Sequence, residues 1–164
     1  MKFPVSTVQT SFESPLGRII LAASNGKLVG LWFTGQSHQP DTSTWPQAAH
    51  EPVLQRAIGQ LNDYFAGRRT TFDLPLDLDQ GTGFQQAVWR ALLDIPHGAT
   101  RSYGALSGLI GKPTAVRAVG AAVGRNPLSI IVPCHRVIGA NGALTGYAGG
   151  LERKTVLLQL ESDH

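Results

Sequence analysis

The sequence predicts an α+β fold, with strands in the first third and helices dominating the second half. Three observations carry that prediction. The segments 5–14, 18–23 and 27–33 are rich in β-branched and apolar residues and are separated by turn signals, Ser14-Pro15-Leu16-Gly17 and Ser24-Asn25-Gly26. Asn-Gly between two apolar runs is a strong hairpin signal. Further on, apolar residues recur at three-and-four spacing, first at Leu54, Ile58, Leu61 and Phe65, then at Phe84, Val88, Leu92 and Ile95. That spacing marks amphipathic helices.

The elements follow in order. "VSTVQTSFES", "RIILAA" and "KLVGLWF" read as a β meander. Residues 34–50 are polar and rich in Ser, Thr, Gln and Pro, which predicts a surface loop. The helix through Leu54 to Phe65 can end at Gly67. "TTFDLPLDL" reads as a strand or an extended crossing segment, and "DQGTG" as a domain boundary. The expected division is therefore an N-terminal domain at 1–78, a linker at 79–83 and a C-terminal domain at 84–164. Thr82 with Gln85 has the form of a capping box opening the next helix, which Pro96 closes. Ser102 can cap a short helix ended by Gly111, and Pro113 is expected at the first turn of a helix over "TAVRAVGAAVGRN". Two short helices joined by "GKP" outline a helix-turn-helix. "LSIIV" reads as a short buried strand, and "LERKTVLLQLE" as the last helix.

The totals narrow the function. The chain has 164 residues, 42% of them apolar, enough for a substantial core. No apolar run reaches the ~18 residues that span a bilayer. The start "MKFPVSTVQT" has no continuous hydrophobic segment, so a secretion signal is not expected. With one cysteine there is no internal disulfide and no cysteine-rich zinc site, and a cytoplasmic setting is the expectation. The net charge is +3, and the basic residues gather in the second half. Arg90, Arg101, Lys112, Arg117, Arg125 and Arg136 face only Asp94 between residues 82 and 136. That pattern suits a nucleic-acid partner.

Three features invite a chemical reading. The helix over 114–126 has an apparent core face of Ala115, Val116, Ala118, Val119, Ala121, Ala122 and Val123. Tight helix packing is the plain explanation; close approach to a nucleic-acid groove, with Arg117 projecting, is the functional one. Glu161 ends the last helix, where the macrodipole disfavours an acid. It shares a face with Lys154, Leu157 and Leu158, and a carboxylate on an apolar stripe needs a partner. A frayed, solvated terminus is the plain explanation; a carboxylate orienting a histidine is the functional one. Cys134 is the only cysteine, and such residues are more often inert buried sulfur than nucleophiles. Here His135 and Arg136 follow directly and could favour the reactive thiolate.

Taken together, "SYG", "AVRAVG", "GRNP", "PCHRVIG" and "GYAGG", in this order and spacing, closely resemble the O6-alkylguanine-DNA alkyltransferases (methylated-DNA–protein-cysteine methyltransferases). The resemblance runs from about Phe84 to Glu161 and is looser before residue 80. It implies a ribonuclease-H-like N-terminal domain followed by a winged helix-turn-helix. It implies direct repair without a cofactor: the alkyl group leaves O6 of a guanine flipped out of duplex DNA and stays on Cys134, once per molecule. O4-alkylthymine is a candidate second substrate. Carried over by position, Cys134 is the nucleophile, His135 its base through a water, Glu161 the orienter of His135, and Asn126 the tie between the helix-turn-helix and the active-site segment. Tyr103 would rotate the phosphate and hydrogen-bond the leaving guanine. Arg117 would fill the gap in the stack, and Ala115, Ala118, Ala121 and Arg125 would lie against the minor groove. Val123, Val137, Tyr147 and Ala148 would form the pocket, with Val137 and Cys134 offering backbone carbonyls and Ala148 a backbone N–H. Ala148 stands where some relatives have serine. The zinc-binding cysteines of some relatives are absent, so no metal is expected. The implied partner is double-stranded DNA, bound by a monomer with scope for cooperativity, and no membrane. The alternative is a protein that binds alkylated DNA without transfer. A cysteine hydrolase or a plain DNA-binding regulator fits fewer of these residues.

Overall fold

A computed structural model describes residues 1–164. Strands β1 (Val8–Ser14), β2 (Gly17–Ser24) and β3 (Lys27–Phe33) form an antiparallel sheet in the order β1-β2-β3. Asn25 and Gly26 both have positive φ, at 51° and 76°, as the two-residue hairpin turn between β2 and β3 requires. One face of the sheet, including Ile19, Leu21, Leu28, Leu31 and Phe33, enters the main core. The other face, Ile20, Ala22, Val29 and Trp32, is covered by Phe3 and Trp45. β1 starts at Val8 rather than Val5, because Thr7 turns back onto the Pro4 carbonyl.

Residues 34–50 are irregular, as the composition predicts. Helix α1 (Pro52–Phe65) starts with Pro52 in its first turn and the Glu51 carboxylate accepting from Leu54 N–H at 2.9 Å. Gly67, at φ 75°, takes the left-handed position past its end. The 70–78 segment is the extended crossing. It makes only one bridge, at Leu28, whose N–H donates to the Pro75 carbonyl while its own carbonyl accepts from Asp77.

The second half holds α2 (Gly83–Leu93), α3 (Tyr103–Leu109), α4 (Val116–Gly124) and α5 (Leu151–Asp163), with a two-stranded parallel pair of β4 (Arg101–Ser102) and β5 (Val137–Ile138). The Thr82–Gln85 capping box forms in both directions, and Ser102 caps α3 through Ala105 N–H. Trp89 is fully buried and donates its indole N–H to the Ala122 carbonyl at 2.8 Å, pinning α2 to α4. Truncating such an anchor costs ~3–5 kcal/mol. The three helices α2, α3 and α4 with the β4–β5 pair are the winged helix-turn-helix unit. One hydrophobic cluster runs from Ile19 and Leu61 to Leu92, Val119 and Leu157, so both halves share a core. No helix is long and apolar enough to cross a membrane.

Three expectations are corrected. α4 begins at Val116, not at Pro113, which lies in the connecting turn; Ala115 N–H closes that turn on the Lys112 carbonyl. The helix buries only Val119, Ala122 and Val123, while Val116, Ala118 and Ala121 are exposed and Ala115 is half-buried. "LSIIV" is buried but is not a strand. Ile130 has φ 72°, and the segment folds on itself through Ile131 N–H to Ser129 and Val132 N–H to Leu128.

Candidate active site

The bend at 128–132 is held from within by Asn126. Its amide donates to the Val132 carbonyl at 2.8 Å, and its oxygen accepts from Leu128 N–H at 2.9 Å. A buried backbone must find partners for its polar groups; a single bridge from Leu128 to Leu31 of β3 and the Asn126 side chain supply them here. The segment delivers Cys134 into a single 3-10 turn, Cys134–Arg136, directly after the tie.

That turn splits three side chains between two directions. Cys134 is nearly buried and lines the largest cavity, about 800 Å³ in volume. His135 and Arg136 reach Glu161 of α5. His135 Nε2 lies 2.7 Å from Glu161 Oε2, and Arg136 grips the same carboxylate with Nε at 2.7 Å and Nη2 at 2.9 Å. Tyr64 donates its hydroxyl to Glu161 Oε2 at 2.7 Å, and Arg136 Nη1 donates to the Ile95 carbonyl at 2.6 Å. The expected help from Arg136 to the thiol is therefore corrected: its charge is spent on Glu161.

The electrostatics assign the proton positions. Burial alone would raise the Glu161 carboxyl, but hydrogen bonds from His135, Arg136 and Tyr64 overcome it and hold the group far below the usual carboxylate range. Burial lowers His135, so its ring is neutral. A neutral imidazole facing a carboxylate through Nε2 carries its hydrogen there. Nδ1 is then the basic nitrogen, and it is buried with no protein partner. Burial also pushes the Cys134 thiol up to about 11, opposed by Asn126 and by Lys154. The resting group is thus a thiol, not a standing thiolate.

Lys154 is fully buried on α5. Its Nζ donates to the carbonyls of Val137 at 2.6 Å, Thr145 at 3.0 Å and Gly146 at 3.4 Å. It fastens the 145–146 wall of the cavity to β5. Burial lowers its pKa, while the nearby Cys134 sulfur pulls it back up.

The cavity around Cys134 is walled by Tyr103 and Gly104 of α3, by Val116, Arg117, Gly120, Val123 and Gly124 of α4, and by Ala140 and residues 145–148. Of the residues expected in the pocket, Val123, Tyr147 and Ala148 line it, and so does Tyr103. Val137 does not: it is fully buried, and its carbonyl, expected to face substrate, already accepts from Lys154. The Cys134 carbonyl likewise accepts from Val137 N–H. Arg117 and Arg125 are exposed, as are Ala118 and Ala121, so α4 turns a low, small-residue surface with two cations outward. No group of three or more His, Cys, Asp or Glu side chains is placed to hold a metal ion.

Some of this network was not foreseen. Lys154 shares the i, i+3, i+7 stripe with Leu157 and Glu161, so its burial had a signal in the spacing. Tyr64 had none, since it meets Glu161 across 97 positions of chain. Nor did Ser37 and His38, which enter the cavity rim from the first half of the chain.

Fold and site define a two-domain, cysteine-centred protein with a helix-turn-helix at the mouth of its cavity. Family models agree. That described as 6-O-methylguanine DNA methyltransferase, ribonuclease-like domain, matches residues 7–78, and that described as 6-O-methylguanine DNA methyltransferase, DNA binding domain, matches residues 83–163. The chain is 52% identical over 151 residues to the methylated-DNA--protein-cysteine methyltransferase of Mycobacterium tuberculosis, covering 92% of this chain and 90% of that one. It is 48% identical over 155 residues to the constitutive methylated-DNA--protein-cysteine methyltransferase of Bacillus subtilis, covering 93% of each. The crystal structure of Mycobacterium tuberculosis OGT in complex with DNA superposes with a TM-score of 0.87 at 50% identity, over 93% of this chain and 91% of that one. The chain belongs to the 6-O-methylguanine DNA methyltransferase family.

Proposed function

We propose that Cys134 accepts the alkyl group in direct-reversal repair of O6-alkylguanine, each molecule acting once. The chain is a DNA alkyltransferase and not a passive lesion binder. The observation that carries the residue-level reading is the single cysteine on the floor of the cavity, with neutral His135 next to it in the same turn and the ionised Glu161 of α5 bonded to that histidine.

The chemistry follows from the proton positions. A water relays the Cys134 proton to His135 Nδ1, and Glu161 stabilises the imidazolium that forms. The thiolate attacks the alkyl carbon. The S–C bond forms, the C–O6 bond breaks, and the electron pair moves onto guanine, which is then protonated. Tyr103 donates a hydrogen bond that offsets that developing charge. A buried thiol with raised pKa is the stronger nucleophile once ionised, so deprotonation on demand suits displacement at carbon better than a standing thiolate. The product thioether has no leaving group for reversal, hence one turnover.

The target is inside a duplex and must be extruded. Exposed Arg117 enters the stack behind it, and Ala115, Ala118 and Ala121 allow α4 to approach the minor groove closely. Arg125 neutralises phosphate. Val123, Tyr147 and the Ala148 N–H hold the base, and Val137 acts through its carbonyl's second lone pair. Asn126 keeps Cys134 in register with the helix-turn-helix. The protein works as a cytoplasmic monomer without metal or cofactor.

Intact-protein mass spectrometry after incubation with a duplex bearing one O6-methylguanine tests this reading. A gain of one methyl, mapped to the Cys134 peptide and saturating at one per protein, is the expected result. Lesion binding without mass gain overturns it.

A further inference from the structure

The cavity has a wall that the helix-turn-helix domain does not supply. Ser37 and His38, from the loop after β3, complete its rim. Two bonds fix that loop against the catalytic segment. Buried Gln36 presents its side-chain oxygen to Phe33 N–H at 2.8 Å and to the Ser129 hydroxyl at 3.3 Å, and Ser129 lies in the bend that leads to Cys134. Ser37 N–H donates to the Ala148 carbonyl at 2.9 Å. The loop therefore stands beside the residue whose N–H faces O6, and so beside the substituent that O6 carries. This placement rests on the reading of Ala148 given above.

His38 has a second property. It is the one residue shared by the main cavity and a smaller pocket of about 230 Å³ lined by Phe3, Trp32, Pro40, Arg125 and Pro127. It stands exposed on the rim and borders both. Its φ of 62° is an uncommon conformation for a residue other than glycine, held here by the bonds at Gln36 and Ser37.

We propose that His38 is a specificity-determining residue, a partition from the N-terminal domain that limits the size of the O6 substituent the cavity accepts. A methyl group fits in front of it. A benzyl group presses on it, and removing the imidazole opens the smaller pocket to the ring. Discrimination by shape in an apolar pocket is worth ~10- to 200-fold per methylene-sized step, so one imidazole is enough to be read in rates.

The test uses the full chain and two duplexes of one sequence, carrying O6-methylguanine or O6-benzylguanine. Single-turnover transfer to Cys134 is followed by mass for wild type, His38→Gly, His38→Asn and His38→Trp. Glycine and asparagine both tolerate positive φ, so these two shorten the side chain without new backbone strain. The benzyl-to-methyl rate ratio is expected to rise from Trp to His to Asn to Gly, with Gly about tenfold or more above wild type. A ratio constant within twofold across the series, or falling as the side chain shrinks, overturns the proposal. Wild-type methyl transfer is read in the same experiment: its absence is a failure of the reading of Cys134, whereas a flat ratio with methyl transfer intact is a failure of the role given to His38. Circular dichroism confirms the fold of each variant, and the order among any three of the four proteins is sufficient to decide.

Discussion

The floor of the cavity and the outer face of α4 lie a few residues apart but are built on opposite terms. Behind the floor, Glu161 is buried and satisfies His135, Arg136 and Tyr64 at once. Every member depends on the others, because an unpaired charge there has no water to turn to. On the face of α4, Arg117, Ala118, Ala121 and Arg125 are exposed, and neither arginine is in an ion pair. The difference teaches that chemistry and binding are separable here. Changes in the Glu161 network should damage fold and transfer together, while changes on the face should damage duplex repair alone.

Cys134→Ala should make the largest difference. Transfer should vanish, with duplex binding retained, as read by mass gain and by fluorescence anisotropy. Methyl gain in that variant breaks the assignment outright. Glu161→Gln should come next, slowing transfer by ~10²–10⁴-fold through loss of the charge that supports His135. Glu161→Ala leaves Arg136 without its counter-ion and should also cost ~3–5 kcal/mol in urea unfolding. An unfolding midpoint equal to wild type would show that the network is not holding the two halves together.

The same floor sets the pH dependence. Burial holds His135 below its ordinary value, so it stays a base through neutral pH and transfer should fall only below about pH 6.5. Stability follows the same direction. Glu161 is depressed in the folded chain, so its contribution is complete above the ordinary carboxylate value of about 4.3 and is lost progressively as pH falls toward the depressed one. Neutral His135 adds to that loss, since the unfolded chain takes up its proton first. Transfer rates and urea midpoints measured from pH 8 to pH 4 check both. A rate that falls with rising pH would reverse the assignment of His135 as base.

Arg117→Ala breaks the comparison from the other side. A residue that fills the space of an extruded base should slow duplex repair by tenfold or more, in line with unstacking costs of a few kcal/mol. Free O6-benzylguanine needs no extrusion and should react at nearly the wild-type rate. Equal losses on both would move Arg117 from the stack to the floor.

How far these regions were legible in the sequence follows the same division. Local chemistry was readable: Asn25-Gly26 makes its hairpin, Thr82 and Gln85 make their capping box, and the misplaced acid at Glu161 does have buried partners. Two local signals misled because another device took the place of the expected one. "LSIIV" has strand composition, yet beyond one bridge from Leu128 to Leu31 its backbone is held by the Asn126 side chain and by its own turns. Pro113 suits a helix start, yet the turn that Lys112 and Ala115 close displaces it. Tyr64 and His38 were beyond reach for another reason. Their roles come from which distant segments meet, and neither carries a neighbour in sequence that announces it.

Arg125→Ala should have the smallest effect and the cleanest signature. Arg125 caps the C-terminal end of α4, exposed and outside the buried network. In the function proposed above its charge meets phosphate, a contact that carries no sequence information. Removing one such contact should reduce the slope of log K against log salt by about 0.9 and weaken binding to lesion and undamaged duplex alike. Arg117→Ala should instead change the rate of transfer on bound duplex more than the salt slope. Measured side by side in a salt titration, the two variants divide the face of α4 into a part that holds the backbone and a part that handles the base. A salt slope unchanged by Arg125→Ala would place the phosphate footprint elsewhere, with exposed Arg90 and Lys112 the next positions to titrate.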